Sequence, residues 1–511
     1  MGGKKLKSIK FCGLAWSLAL LLTVSTPAWA QLNIYGGGGG GGGGTSGNGG
    51  GGGAAYIGIF TQGGGAGGSG NGGGILGPGG NADGGNGIAD NPTLAGSISG
   101  AGGPADGSSL GAEGGQNAVG NTGGAGGEVI YNDAIGAYNG LNMHAGEGGG
   151  GQTGNGGAGG DVTFISDGPL LTINGNLTAV AGFGGWNTPG TGTAGGRGGD
   201  LNFWTAGNVQ VSGNIAFGGQ TGGNAAGTGV GGRGGNADIT IGGRLASAGT
   251  LSVFGGIGGT GSNASGLGGN TVFTVGSMDV DGTADFRGGF PYGMASEGST
   301  TVTITDTSQK NIFRADLNIT GEDGTGNDHG GDVFWRNPEA DVEVMGVFTM
   351  TAGNGSPGAA TGGDAIFEAN TMELGDGLHS ITSGTTSAQA GGDAVFSAVT
   401  LKAANGTASL TIHSASGGGL AKFYAGTAEA AAANLSLTFN NTSTVNTRID
   451  NLVVGNGKSL AVNTAGDVVL GGLTVLAYDF TDPTLSATAI YVGTGAGGAR
   501  NFVGKTSFRP R

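Results

Sequence analysis

The densest group of side chains that could do chemistry lies in the segment GEDGTGNDHGGD, residues 321–332. Asp323, Asp328, His329 and Asp332, together with Glu322, supply carboxylates and an imidazole, the groups that bind divalent metals or transfer protons. The segment does not match the EF-hand, because no glutamate stands at the twelfth position of the loop. We therefore expect a solvated loop, with a metal site at these residues as the alternative.

Calcium binding by Gly- and Asp-rich repeats is a second possible chemistry. The tandem nonapeptide roll needs the pattern G-G-x-G-x-D followed two places later by a large apolar residue. Residues 156–164 read GGAGGDVTF, so Thr163 occupies the apolar place. The next copy, at Asp200, follows Asp161 by 39 residues, whereas the copies of the roll adjoin one another. We expect no cofactor, and a calcium-dependent secreted repeat protein remains an alternative.

Catalysis is the third chemistry to consider. Lyases and hydrolases on β-helices use acids and basic residues on one strand face, but here Arg197 and Arg233 stand singly among glycines. The histidines at 144, 329, 379 and 413 are far apart, and we expect those in strands to face outward. The sequence lacks the phosphate-binding motif G-x-x-x-x-G-K-[ST]. It predicts a non-enzymatic protein, with a carbohydrate-active lyase or hydrolase as the alternative.

The polar residues belong to an internal repeat. Two glycines, a polar residue and then alternating apolar residues recur at spacings of 26 to 39 residues. The repeat is recognised at Glu128, Asp161, Asp200, Asn236, Asn270, Thr300, Asp332, Asp364, Asp393 and, in a degenerate form, Gly419. Asx side chains accept backbone N–H groups in turns, so most of these positions are expected to cap the turn that enters a strand. These turn anchors are Asp161, Asp200, Asn236, Asn270, Asp332, Asp364 and Asp393.

Each repeat contains three short runs of alternating apolar residues, followed by a Gly-rich segment. Alternation over four or five residues, rich in Val, Ile, Thr and Phe, indicates half-buried strands. One such unit cannot form a core, but stacked units pair each strand in parallel with its counterpart in the next repeat. The pattern predicts an all-β protein: a right-handed parallel β-helix, or β-solenoid, with Gly-rich loops on one corner. The loops are either flexible linkers or an ordered stack resembling polyglycine II.

The chain divides into four expected regions. Residues 1–30 read as a signal peptide, with lysines, an apolar stretch and a cleavage site after Ala30. Residues 31–127 form a Gly-rich low-complexity region, irregular or partly disordered. Residues 128–419 contain about ten repeats of roughly 32 residues, the β-solenoid proper. Residues 420–511 contain less glycine and are expected to form a C-terminal cap and tail.

Charge restricts the possible partners. After cleavage, 15 of the 19 basic residues remain against 34 acidic ones, a net charge of −19. This charge disfavours nucleic acid and anionic lipid as partners. The mature chain also has no cysteine, because the single Cys12 lies in the leader.

The GGD-type anchors and the C-terminal stretch LTVLAYDF together resemble the passenger regions of bacterial autotransporter adhesins. That resemblance implies a secreted or outer-surface protein that contacts a host, glycan or matrix surface, or other cell-surface components. Such passengers normally precede a membrane barrel, and the sequence ends at Arg511 without one. The chain is thus expected to be a lone passenger, a truncated product or a protein exported by another route, with a separate anchor. No catalytic residue follows from the resemblance.

Overall fold

A computed structural model of the chain describes the repeat region almost completely. It covers residues 125–464 except 134–135, 152–153, 188–193, 292–297, 325–327, 357–360, 387–390, 415–418, 441–445 and 455–457. Outside that range it describes only short strands. The expected signal peptide, residues 1–30, and most of the low-complexity region and C-terminal tail therefore lie outside the described residues.

The described elements are all β-strands. The strands before the repeat region are β1 (Leu32–Tyr35), β2 (Ala55–Ile57), β3 (Gln62–Gly64), β4 (Ser69–Asn71), β5 (Asn81–Asp83), β6 (Ile88–Asp90) and β7 (Ser97–Ser99). Those of the first half of the repeat region are β8 (Val129–Asp133), β9 (Gly136–Tyr138), β10 (Leu141–His144), β11 (Val162–Ser166), β12 (Leu170–Ile173), β13 (Leu177–Val180), β14 (Leu201–Thr205), β15 (Asn208–Val211), β16 (Ile215–Gly218), β17 (Ala237–Ser247), β18 (Leu251–Phe254), β19 (Thr271–Val280) and β20 (Ala284–Arg287).

The remaining strands continue the same series. They are β21 (Thr300–Ile304), β22 (Asn311–Phe313), β23 (Leu317–Thr320), β24 (Val333–Arg336), β25 (Asp341–Val344), β26 (Phe348–Thr351), β27 (Ala365–Leu374), β28 (Gly377–Thr382), β29 (Ala394–Ala403), β30 (Thr407–His413), β31 (Ala421–Ala430), β32 (Asn434–Asn440), β33 (Asn446–Val454), β34 (Leu460–Thr464), β35 (Val468–Leu470), β36 (Gly472–Leu476), β37 (Ile490–Thr494) and β38 (Lys505–Arg509). No helix long and apolar enough to cross a bilayer occurs in the part of the chain that the structure describes.

Parallel pairing between successive repeats organises these strands. The third strand of each repeat pairs in parallel with the third strand of the next, so that β10 is followed by β13, β16, β18 and β20. The series continues in the same way to β37. The first and second strands pair likewise, as β11 with β14 and β12 with β15. The prediction of an all-β protein with parallel sheets is confirmed.

The three runs do not remain three separate strands throughout. The first and second runs join into one long strand in β17, β19, β27, β29, β31 and β33. In β17 the join is irregular, since the register against β19 shifts between Ile241 and Arg244. Pairing also continues through the expected boundary at 419/420, because β29 pairs with β31 and β31 with β33.

The core lies between the strands, on their inward faces. Alternation buries every second residue, so β14 buries Leu201, Phe203 and Thr205 while Asn202 and Trp204 point outward. Parallel register then stacks inward residues of one type above each other. Phe164 lies flat on Phe203, with ring centroids 4.5 Å apart, and Phe396 lies on Phe423 at 5.0 Å. Such offset aromatic stacks add to the burial of apolar area.

Candidate functional site

The turn anchors form a hydrogen-bonded ladder that runs between repeats. The side-chain oxygen of Asp161 accepts the backbone N–H of Asp200 at 2.7 Å, and Asp200 accepts that of Asn236 at 2.7 Å. Asp332 accepts the N–H of Asp364 at 2.8 Å, and Asp364 accepts that of Asp393 at 2.7 Å. Each anchor thus caps the turn of the following repeat instead of its own, because parallel stacking places that N–H directly beside it.

One repeat departs from the sequence alignment of the anchors. Ser299, and not Thr300, occupies the anchor place, since its N–H donates to Asn270 at 2.9 Å. Its hydroxyl accepts the N–H of Asp332 at 3.3 Å, a longer bond than the Asx bonds. Thr300 begins the strand and is buried, with its hydroxyl donating to the carbonyl of Thr320. The repeat GSTTVTI offers three hydroxyl residues in a row, so its sequence could not show which one caps.

Two basic residues compensate the stacked carboxylates of the ladder. Arg197 pairs with Asp161, at 3.1 Å, and with Asp200. Lys422 pairs with Asp393 at 2.7 Å. Burial raises the pKa of the Asp332 carboxyl; the N–H of Asp364 acts against this and the charge of Asp364 adds to it. Within the ladder, burial therefore destabilises the charged form of the Asp332 carboxyl.

The proposed metal ligands are separated by the same inter-repeat bonding. Asp323 accepts the backbone N–H of Asn354 at 2.7 Å, while His329 lies 2.5 Å from the hydroxyl of Thr361. Asp332 belongs to the anchor ladder, and Asp328 uses its carbonyl oxygen to accept the N–H of Ser356. Among the residues that the structure describes, no three His, Cys, Asp or Glu side chains lie where they could hold a metal ion together.

The expectation that strand histidines face outward is wrong for His379. This side chain is buried, with Nδ1 accepting the N–H of Phe348 at 3.1 Å and Nε2 lying 3.1 Å from the carbonyl oxygen of Gly375. Desolvation lowers its pKa, although the bond to Gly375 and the charge of Asp376 oppose the shift. His379 shares the inward face of β28 with Ile381, whereas the neighbouring Leu378 is exposed, so the inward positions of this strand are set by Ile381 and are the reverse of those expected for the histidine.

The Gly-rich segments are ordered by hydrogen bonds where the structure describes them. Each segment has an outgoing arm, which follows a third strand, and an incoming arm, which leads to the next turn anchor. Outgoing and incoming arms alternate along the stack. Gly199 donates to Gly182, Gly182 to Gly160 and Gly160 to Gly146, each at 2.8 Å. An outer row repeats this order, with Gly196 donating to Gly185 at 2.9 Å.

Arms of the same kind also bond to each other. Gly159 donates to the carbonyl of Arg197 at 2.7 Å, and Gly198 donates to that of Arg233 at 2.8 Å. Each arm therefore uses neighbours on several sides, and its bonding pattern repeats every third residue, the periodicity of an extended threefold helix. Of the two alternatives for the Gly-rich loops, the described residues follow the ordered one, and we call this array the glycine lattice.

Most inner positions of the glycine lattice have no room for a side chain, although Gln220 and Glu322 stand at two places in its inner row. A Cβ atom on Gly232 would lie 1.8 Å from the carbonyl oxygen of Gly196, and one on Gly353 would lie 1.7 Å from that of Glu322. Every third residue of an arm points to solvent instead and can carry a side chain. These outward residues include Phe183, Trp186, Arg197, Arg233 and Leu267.

A second surface follows the outward side of the second strands. Parallel register aligns one outward residue from each repeat into a column. The column contains Thr172, Gln210, Ala246, Asp279, Ile312, Glu343, Glu373 and Lys402. Its C-terminal part is an ion-pair network, in which Lys310 binds Glu343 and Glu373 and Lys402 binds Glu373 at 3.1 Å.

The N-terminal part of this column opens into a groove of about 510 Å³. Its floor is low because two small residues, Ala246 and Ala248, face outward on the same repeat. Amide and hydroxyl side chains, including Gln210 and Asn174, line one end. Asp279, Asp281 and Arg314 line the other end, where Arg314 pairs with both carboxylates. No sequence pattern predicted this groove, because the alanines carry no reactive group and the acids stand far apart in sequence from the amides.

Neither acid in the groove stands free. Asp279 is held by Arg244 and Arg314, and Asp281 lies 2.6 Å from Arg314. Paired acids flanking a bond are the usual requirement for glycoside hydrolysis, with one of them acting as a proton donor. Carboxylates that are held by arginines suit recognition better than proton donation.

Comparison of the chain with models of known protein families, with curated proteins and with solved structures found no match.

Proposed function

We propose that the chain is a right-handed parallel β-helix that acts as an exported, non-enzymatic rod with a structural or adhesive role. The single observation that carries the proposal is the unbroken parallel pairing of third strands from β10 to β37. A chain in which each repeat contacts only its neighbours grows in one dimension. The right hand follows from the general rule for parallel crossovers in one sheet.

The length of such a rod follows from the strand spacing. Removing β1, β6 and β7 from the fifteen strands of this sheet, as the structure describes it, leaves twelve in parallel succession. Steps of ~4.8 Å between neighbouring strands then give a rod of about 50–55 Å. A stiff rod suits presentation of repeated surface groups at a fixed distance from an anchoring point.

The surface chemistry supports adhesion through many weak contacts. The outward residues of the third strands include Thr178, Ser252, Asn318, Thr349 and Thr411, one from each repeat concerned. Rows of hydroxyl and amide groups offer several equivalent hydrogen-bonding places on one face. Repeated weak contacts give avidity without a deep pocket.

Export is supported by the leader-like residues 1–30 and by the absence of cysteine from the rest of the sequence. The proposed location is the bacterial outer surface or the medium, after cleavage following Ala30. The proposed partners are a host, glycan or matrix surface, or other components of the same cell surface. An autotransporter-like passenger remains our proposal for its class.

The location can be tested by expressing the full chain in a Gram-negative bacterium. We expect the mature protein to start at Gln31 and to be degraded by a protease added to intact cells, or to be found in the medium. As a control, a variant lacking residues 2–30 should stay inside and be protected. Recovery of the full-length chain from the cytoplasm, with Met1 or Gly2 as its first residue, would contradict export.

A further inference from the structure

The groove above Ala246 is a built depression in an otherwise regular outward column. Gln210 precedes Ala246 in that column and Asp279 follows it, and both carry larger side chains. Ala248, two residues further along the chain, is also small and is exposed, so the depression continues there. The groove extends over five successive repeats, from Thr172 to Arg314, and is therefore elongated along the stack. Four steps of ~4.8 Å make it about 19 Å long.

The lining offers several side chains for hydrogen bonding. Thr172, Asn174, Gln210 and Ser212 supply hydroxyl and amide groups, which both donate and accept. The backbone of these strands is already paired with the repeats on both sides, as in β15 with β12 and β17. An added peptide strand would find no unpaired edge here, which disfavours β-augmentation as the mode of binding.

The charged side chains of the groove also restrict the kind of ligand that can bind. The carboxylates of Asp279 and Asp281 are balanced by the guanidinium of Arg314 and by that of Arg244, which pairs with Asp279, so the acidic end of the groove has no excess of positive charge. Asp281 remains half exposed, at 52%, so that it can still accept hydrogen bonds from a ligand. A neutral ligand with many hydroxyl groups meets these acceptors favourably, whereas phosphate, sulfate or uronate groups would find no excess of positive charge to bind them.

We propose that this groove binds an extended neutral oligosaccharide, without cleaving it. The amide and hydroxyl end holds sugar hydroxyls as donor and acceptor, and the acidic end accepts hydrogen bonds from hydroxyls of the next units. The alanine floor gives an apolar surface on which the C–H face of a sugar ring can lie. This proposal deepens the adhesive function proposed above by naming the class of partner.

The test uses the purified mature chain and four hexasaccharides: cellohexaose, mannohexaose, chitohexaose and hexagalacturonic acid, the last as the anionic comparison. Binding is measured by isothermal titration calorimetry. Two variants address the groove: Ala246→Leu fills its floor, and Gln210→Ala removes a donor and acceptor. The matched control is Ala206→Leu, the same change at an exposed residue that lies between β14 and β15, outside the groove and outside the row of third strands.

We expect at least one neutral hexasaccharide to bind and to be recovered unchanged. Ala246→Leu and Gln210→Ala should each weaken binding at least about tenfold, while Ala206→Leu leaves it unchanged. Failure of every neutral hexasaccharide to bind, preference for hexagalacturonic acid, shortening of the sugar, or equal effects of the Ala246 and Ala206 changes would overturn the proposal. Circular dichroism of each variant shows whether it is folded. Export is measured separately, so either proposal can fail without the other.

Discussion

At the scale of single residues, each anchor side chain caps the turn of the next repeat. The sequence predicted that it caps the turn of its own repeat. A side chain at one anchor satisfies the backbone of the next, so the ladder depends on an acceptor oxygen and not on a charge. Asn236 and Asn270 fill the same place as the aspartates, accepting from Asn270 and Ser299 at 2.9 Å. The carboxylate at Asp332 therefore brings a cost that an amide would avoid.

Two substitutions at Asp332 separate the acceptor from the charge. The pKa of its carboxyl is raised above the ordinary 3.8, so its contribution to stability is fully present below that value and is lost as pH rises through the raised pKa. Asp332→Asn should then raise the melting temperature at neutral pH, with the gain disappearing in acid. Asp332→Ala should lower stability by about 1–3 kcal/mol, because the N–H of Asp364 loses its acceptor. Equal melting temperatures for the two variants at neutral pH would contradict this account.

His379 should show the opposite pH dependence of stability, because its pKa is lowered. Its pKa is lowered from 6.5, so the neutral ring stabilises the fold above that value and the contribution is lost as pH falls through the lowered pKa. We expect the free energy of unfolding to decrease on acidification below about pH 6.5 in the original chain. His379→Gln keeps a donor and an acceptor but does not titrate in this range, so its pH profile should be flatter. Parallel profiles for both chains, measured by urea unfolding, would show that the ring is not buried.

At the scale of elements, the glycine lattice is as regular as the strands. Its arms exchange hydrogen bonds with neighbouring arms, and most of their inner positions leave no room for a Cβ. The lattice thus favours glycine at two of every three positions of the arms that the structure describes.

Two Gly→Ala changes test whether the lattice is close-packed. At Gly232 the added Cβ would lie 1.8 Å from a backbone oxygen, whereas at Gly150 the nearest atom is a backbone oxygen at 3.3 Å. We expect Gly232→Ala to destabilise the chain by at least about 1–3 kcal/mol, as overpacking does. Gly150→Ala should be close to neutral, within about 1 kcal/mol of the original chain. Chemical denaturation measures both, and a flexible segment would tolerate the two changes equally.

The sequence predicted the strands well and the side-chain contacts poorly. Strict alternation made the inward residues of strands such as β11 and β14 recognisable, and the anchors gave the repeat. The bonds of the anchors, the reversal at His379 and the groove at Ala246 depend on which residues of different repeats lie side by side. Repeats of 26 to 39 residues do not reveal that register, because loop length varies independently of the strands.

At the scale of the whole molecule, stacking makes the distance between two residues depend on the number of repeats between them and not on the length of chain. Residues many repeats apart should be separated by a fixed step per repeat, whatever the length of the loops between them. This is the property that an exported rod would use to hold a binding surface away from its anchor. It also distinguishes a stack from any compact arrangement of the same strands.

Electron–electron distance measurements on paired spin labels test this property most directly, and residues 31–511 suit them because they contain no cysteine. Thr178 is five parallel steps from Thr349 and seven from Thr411 along the outward column of third strands. Labels on the Thr178→Cys/Thr349→Cys and Thr178→Cys/Thr411→Cys variants should lie about 24 Å and about 34 Å apart, at ~4.8 Å per step. Equal distances for the two pairs, or a shorter distance for the second pair, would contradict the parallel stack.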